Sequence, residues 1–277
     1  MTAHAAILQV IVPLLAAPLC LFLRQSARLC WLWSTIVTGC TLIISIYLFF
    51  KLQINGNIIY EIGGWASPWG IEYRVDLLSA VLLLIISGIS FITLLYMPRS
   101  INNEISKERH YLFYLTYMLC TAGLLGIAIT GDAFNLFVFL EISSLSSYVL
   151  ISFGKDRRAT TAAFRYLIMG TLGATFYIIG VGLLYMMTGT LNIADLATLI
   201  PAISDTRPVI VALAFLTVGL CLKIALFPLH FWLPNSYTYA PLVVTIFLAS
   251  TATKVAIYAL IRVYFTMFGA YENSYVS

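Results

Sequence analysis

Charge is scarce in this sequence. Acidic and basic residues make up 9% of the 277 residues, against 61% hydrophobic. Soluble domains carry about 25% charged residues, so a soluble globular protein is excluded. Cysteine is sparse too: Cys20, Cys30, Cys40, Cys120 and Cys221 fall in or beside apolar stretches, with no CxxC pair. They read as small buried apolar residues, not as disulfides or metal ligands. Three histidines at no haem spacing, and no GxGxxG after a strand, argue against redox chemistry in this chain. No cofactor and no metal are expected. The first apolar run is of spanning length and lacks a basic start, so it does not read as a cleavable signal peptide.

What is present is long apolar runs. A bilayer core needs roughly 20 apolar residues per helix, and eight stretches qualify: about 4–23, 29–51, 77–98, 110–130, 133–153, 159–188, 208–232 and 241–267. The fold class is therefore an all-α polytopic membrane protein with about eight transmembrane helices. Positive charge marks alternate connections: Arg24 and Arg28, then Arg99, Lys107 and Arg109, then Lys155, Arg157 and Arg158. The intervening ones carry only Lys51, Arg74 and Arg207. By the positive-inside rule the first set is cytoplasmic and the N-terminus lies outside, in a cell or inner membrane. The net charge of +4 follows from this topology and needs no nucleic acid. Between the second and third stretches, "NIIYEIGGW" and "GIEYRVD" flank Ser67-Pro68 and read as an outer-face β-hairpin.

Three ionisable residues lie deep in spans. Glu141 is in the fifth, Lys223 in the seventh and Lys254 in the eighth. Each costs ~2.5–3.5 kcal/mol on insertion scales. Glu141 and Lys254 are too central to snorkel. A static ion pair would account for Glu141 and one lysine, leaving the other lysine alone. Ser144 and Tyr148 share the Glu141 helix face, while Ser250, Thr251 and Tyr258 share that of Lys254. These stripes suit a hydrated path, although Ser and Thr also serve close helix packing. Pro228 has no N–H, so the carbonyl of Ile224 loses its helical donor and the seventh helix should break just before it, beside Lys223. Broken helices with free carbonyls near polar groups are a transporter device. Ammonium groups taken out of water release their proton more readily. His230 adds a group titrating near neutral pH, or a helix-end residue bonded to backbone. Glu141 and Lys223 are expected to pair between their helices, because neither charge is tolerable alone. Trp232 reads as part of an interfacial belt or packing, and Gly170 with Ala174 as a small-residue packing site.

At "TGDAFNLFVFLEISSLSSY", "KIALFPLHFWLPN" and "APLVVTIFLASTATKVAIYALIR" the chain resembles the antiporter-like membrane subunits shared by respiratory complex I and Mrp cation/proton antiporters, most of all the Mrp D-type subunit. The resemblance implies a Glu141–Lys223 ion pair, Lys254 as a central relay lysine, His230 as the histidine of PLHxWLP, and proton translocation within a hetero-oligomeric membrane complex. Asn235 stands where that pattern usually has Asp. The resemblance also implies about fourteen helices in two inverted repeats. Residues 110–267 fill the first repeat, 1–109 form a three-helix segment with the hairpin, and 268–277 form a tail. The second repeat is absent, whether as a fragment, a split gene or a truncated product. Three functions compete: a proton-conducting antiporter subunit, a non-redox subunit of a quinone oxidoreductase or related hydrogenase, and a non-conducting remnant.

Overall fold

A computed structural model describes residues 4–269. The chain is all-helical apart from one hairpin. In order come α1 (Ala5–Leu19), α2 (Ala27–Asn55), β1 (Ile58–Glu61), β2 (Glu72–Val75), α3 (Leu77–Glu104), α4 (His110–Ile129), α5 (Ala133–Ser152), α6 (Arg158–Thr188), α7 (Ile193–Ile203), α8 (Arg207–Ile224), α9 (Trp232–Tyr239) and α10 (Leu242–Ile261), continued by a π-helical turn, Arg262–Met267. Among the described residues, seven helices are long and apolar enough to span a bilayer. The expected first span is the shorter α1, which contains Pro13 and Pro18 and gives way to turns after Leu19. The tail expected at 268–277 lies outside the described residues, apart from Phe268 and Gly269.

Polar caps set the helix ends, because lipid offers the terminal N–H groups no partner. Asp76 and Ser79 form a reciprocal capping box at α3, with Ser79 N–H donating to Asp76 Oδ1 at 2.9 Å. Asp132 caps α5 through Asn135 N–H at 2.6 Å, and Asn192 caps α7. Gly189 ends α6 with φ of 75°, a left-handed conformation that suits glycine.

The hairpin pairs antiparallel, Ile58 opposite Val75 and Glu61 opposite Glu72. Glu72 is buried: its carboxylate accepts from Asn192 Nδ2 at 3.2 Å and its carbonyl from Gly131 N–H at 2.8 Å. Isolated bridges Tyr73–Thr130 and Asp132–Asn192 complete a lock over the α4–α5 turn. The hairpin, this turn and the start of α7 thus share one face, the hairpin face. His4, near the start of α1, bonds there to Tyr60 at 2.8 Å. The opposite face joins Leu242 N–H to Glu104 Oε2 at 3.0 Å.

Helix α4 is buried almost throughout and packs against α1, α2, α3, α5 and α10. Gly123 and Gly126 let α5 lie directly on it, since a Cβ at Gly123 would meet the Ser143 backbone N at 2.6 Å. The polar residues between the first helices form their own chain: Gln9 Nε2 donates to Ser45 Oγ at 2.6 Å and Ser87 Oγ to Ser45 Oγ at 3.0 Å. Four cysteines are buried as expected, while Cys40 is exposed. Its position on the outward side of α2 needs no polar partner in lipid.

Candidate functional site

Helix α8 stops at Ile224, four residues before Pro228, and helix resumes only at Trp232. Ala225 turns the chain in the left-handed region at φ 61°, a conformation that costs an L-residue roughly 1–2 kcal/mol. Leu226 N–H closes the turn on Cys221 O at 3.0 Å. The break leaves Leu222 O facing the interior, where Trp232 Nε1 donates to it at 3.0 Å. Trp232 is therefore buried, in keeping with the packing alternative. Its indole stacks on Tyr166 at 3.9 Å, and Tyr166 meets Tyr148 edge-on at 4.5 Å. This aromatic column ties the broken helix to α6 and α5.

One residue before the end of α8, Lys223 is buried. Its Nζ donates to Glu141 Oε1 at 3.1 Å and to Ser144 Oγ at 2.6 Å. The Lys223 side chain is 5% exposed and that of Glu141 22%. Glu141 and Ser144 are one turn apart on α5, so one ammonium group reaches both. A second feature sets this distance. The α6–α8 seam is closed to backbone contact by Gly173, Gly180 and Gly219. A Cβ at Gly219 would stand 2.6 Å from Gly173 O, and one at Gly173 would stand 3.7 Å from Lys223 Cγ. Gly170 leaves room for Tyr148, whose hydroxyl would be 1.8 Å from a Cβ there. Beside the ammonium is a cavity of about 20 Å³, lined by Ser143, Ser144, Ser147, Tyr166 and Lys223. That is enough for about one water, and the lining is polar enough to hold it.

The structure thus brings Glu141, Lys223 and Ser144 together, with Tyr148 one ring away. It does not bring Lys254 to them. Ala252 and Ala256 line the Lys223 cavity, and Lys254, two residues from each, lies roughly 200° round the helix. It is exposed, and its Nζ donates to Ala249 O at 2.6 Å. Ser250 and Thr251 donate to the carbonyls of Ile246 and Phe247, each at 2.7 Å. Tyr258 is buried toward α4. His230 follows the break, half-buried between the rings of Phe227 and Phe231 at 5.5 and 4.9 Å. Among the described residues no group of three His, Cys, Asp or Glu could hold a metal ion.

The sequence reading overlooked a second ion pair. Arg262 Nη2 lies 2.5 Å from Asp76 Oδ1, at the hairpin face. Arg262 sits inside the stretch counted as the last span, and a lone arginine there was the available signal. Burial alone would raise the Asp76 carboxyl, but hydrogen bonds from Arg262 and Ser79 outweigh it and hold the group below its ordinary value. Nearby Asp132 goes the other way, raised by burial against its backbone hydrogen bonds. Burial also pushes the Tyr73 phenol up to about 12.

The model of the NADH:quinone oxidoreductase/Mrp antiporter transmembrane family matches residues 130–276. The chain is 44% identical over 272 residues to the N-type subunit of the NADH-quinone oxidoreductase of Desulforudis audaxviator, covering 95% of this chain and 52% of that protein. It is 33% identical over 266 residues to the D-type subunit of the Na(+)/H(+) antiporter of Alkalihalophilus pseudofirmus, covering 96% and 53%. Among solved structures, a chain of an archaeal respiratory membrane complex, the membrane-bound sulfane sulfur reductase, superposes with a TM-score of 0.89 at 32% identity, covering 95% and 53%. The chain spans about half the length of the relatives it matches.

Proposed function

Since the chain belongs to the NADH:quinone oxidoreductase/Mrp antiporter membrane family, we propose that it forms a half-channel of a proton-translocating subunit, with Lys223 as the proton-carrying group. The observation that carries this is the Lys223 ammonium held by Glu141 at 3.1 Å and Ser144 at 2.6 Å beside a water-sized polar cavity. Lysine has three donor hydrogens. Two are engaged, which leaves one free to face water. While Glu141 is ionised, the pair is compensated in its apolar surroundings. When the Glu141 charge is neutralised or moves, the ammonium loses its counter-ion and releases a proton to that water. Ser144, an acceptor for Nζ, can donate in turn once the amine is neutral.

Lys254 is the proposed next station. Its exposed side chain would be costly against lipid, so a further protein surface belongs over that face of α10, and a proton passing from Lys223 needs bridging water. His230 is proposed as an entry group on the side opposite the hairpin. The partners are other membrane subunits of a hetero-oligomeric complex in the inner membrane, with the hairpin face outward. Relatives of both kinds support the reading: an antiporter would exchange the proton for a cation, whereas a redox-linked complex would drive it from other subunits. The identity of 44% to an N-type oxidoreductase subunit favours the redox-linked assembly over the D-type antiporter.

The test uses Lys223→Ala and Lys223→Arg in the complete complex, reconstituted in vesicles, with proton flux normalised to assembled complex. Both should abolish driven proton flux, because arginine keeps the charge but does not release its proton, its pKa staying above about 12. Normal flux in Lys223→Arg would make Lys223 a structural strut and sink the relay.

A further inference from the structure

Two small cavities touch α4 and α10 at different heights along the chain. The inner one is the Lys223 cavity, reached by Leu124 and Ile127 of α4 and by Ala252 and Ala256 of α10. The other lies toward the hairpin, among Thr130, Gly131, Glu72, Arg74 and Arg262. Each has a volume of about 20 Å³. Along α4, Ala128 stands between Ile127 and Thr130. Along α10, Tyr258 stands between Ala256 and Arg262.

These two residues are joined across the seam. Tyr258 Oη donates to Ala128 O at 2.9 Å and accepts from Arg262 Nε at 2.8 Å. The guanidinium carbon lies 4.8 Å from the Tyr258 ring centre. Arg262 is fixed in turn by Asp76 Oδ1 at 2.5 Å, and Asp76 by Ser79 N–H at 2.9 Å. A proton moving between the cavities would have to hop through the Tyr258 hydroxyl. The hydroxyl hydrogen is committed to a carbonyl that holds no proton to pass on. Its accepting side is occupied by an N–H of arginine, which does not release its proton. The fixed positive charge also repels an incoming hydronium ion, as arginines do in water-conducting pores. Asp76 supplies the counter-charge that makes a half-buried guanidinium tolerable.

We propose that Tyr258, clamped by Arg262 and Asp76, is a proton barrier closing the Lys223 cavity off from the hairpin face. Its purpose rests on the proton-translocation reading, but the plug itself is testable without transport. In the assembled complex, in membranes and without native cysteines, Ile127→Cys and Thr130→Cys are each reacted with a small impermeant thiosulfonate reagent supplied on the hairpin side. Thr130→Cys should react with Tyr258 intact. Ile127→Cys should be protected until Tyr258→Ala is added, and then react. In parallel, passive proton leak per assembled complex is read with a trapped pH dye. Arg262→Gln, which frees the accepting side of the Tyr258 hydroxyl and removes the fixed charge, should raise the leak roughly tenfold, the scale of one lost hydrogen bond to a charged group, whereas Tyr258→Phe, which deletes the hydroxyl and keeps the ring, should not. They should leave Ile127→Cys protected.

Reaction of Ile127→Cys that is unaffected by Tyr258→Ala overturns the plug. A leak that stays flat in Arg262→Gln, or that rises in Tyr258→Phe, overturns the barrier to protons even if the ring blocks the reagent. Should the native complex move no protons at all, the functional reading fails, while the labelling still decides the plug. If Tyr258→Ala does not assemble, the leak of Arg262→Gln carries the decision.

Discussion

Replacing Gly219 by alanine adds one methyl group where two helices touch backbone to backbone. Its Cβ would stand 2.6 Å from Gly173 O, 2.8 Å from Tyr177 N and 3.2 Å from Tyr177 Cα. All three are backbone atoms, so no side chain can step aside. Ordinary contact begins near 3.5 Å, which obliges α8 to retreat from α6 by roughly 0.9 Å. Overpacking of this kind costs about 1–3 kcal/mol. The retreat also acts one helical turn away, on Lys223. Lengthening the 3.1 Å contact with Glu141 by that amount weakens the attraction by about 1 kcal/mol at an effective dielectric near 20. Gly182→Ala is the control: a Cβ there meets nothing within 4 Å, and alanine is favoured over glycine in a helix by about 1 kcal/mol. The measurement is the heat-denaturation midpoint of the purified complex, followed by size-exclusion fluorescence, with driven proton flux alongside. Gly219→Ala should lower both and Gly182→Ala neither. If the two variants behaved alike, the glycine seam would not be what positions Lys223.

Three further outcomes follow from the same geometry. Gly170→Ala should destabilise by displacing Tyr148, whose hydroxyl would sit 1.8 Å from the new Cβ; adding Tyr148→Phe should recover part of the loss in denaturation midpoint. Trp232→Phe removes the donor to Leu222 O, which should cost about 1 kcal/mol and speed amide exchange across 225–232. Asp76 is held below its ordinary value in the folded protein, so its contribution to stability is present above about pH 4 and lost as pH falls through the depressed value. The midpoint difference between the native protein and Asp76→Asn should therefore shrink on acidification from pH 7 to below 4.

The long spans were legible because lipid permits little else: apolar length alone locates α2 to α6, α8 and α10. The break in α8 was legible from one residue, Pro228, since a missing N–H has a local consequence. The Glu141–Lys223 pair was legible from cost, because two charges of opposite sign at depth relieve one another. What the spacing does not contain is direction around a helix. Lys254 shares a helix with residues lining the Lys223 cavity, yet it lies on the other side of α10, and no spacing rule says which face meets α8. The strand pattern does not say that Glu72 is buried; Asn192, 120 positions away, comes over it. Trp232 reads as interfacial belt or packing, and only the carbonyl that the break exposes selects packing. Each of these depends on a contact that local pattern does not contain.

The two buried pairs differ in a way that bears on their roles. Both place a carboxylate of one helix element against a cation of another, and both lie close to the α4–α10 seam. At the break in α8 the cation is lysine, a flexible point charge, and lysine is a side chain able to give up a proton when buried. At the hairpin face it is arginine, planar and permanently charged, with one N–H on Tyr258 and another on Asp76. Exchanging them would be chemically perverse: arginine at 223 could not carry a proton, and lysine at 262 could release one where arginine cannot. Lys223→Arg and Arg262→Lys should accordingly fail in opposite directions, the first by stopping driven flux and the second by raising leak. Equal phenotypes in the two variants would mean that charge alone matters at both sites, and that neither the relay nor the barrier depends on which cation supplies it.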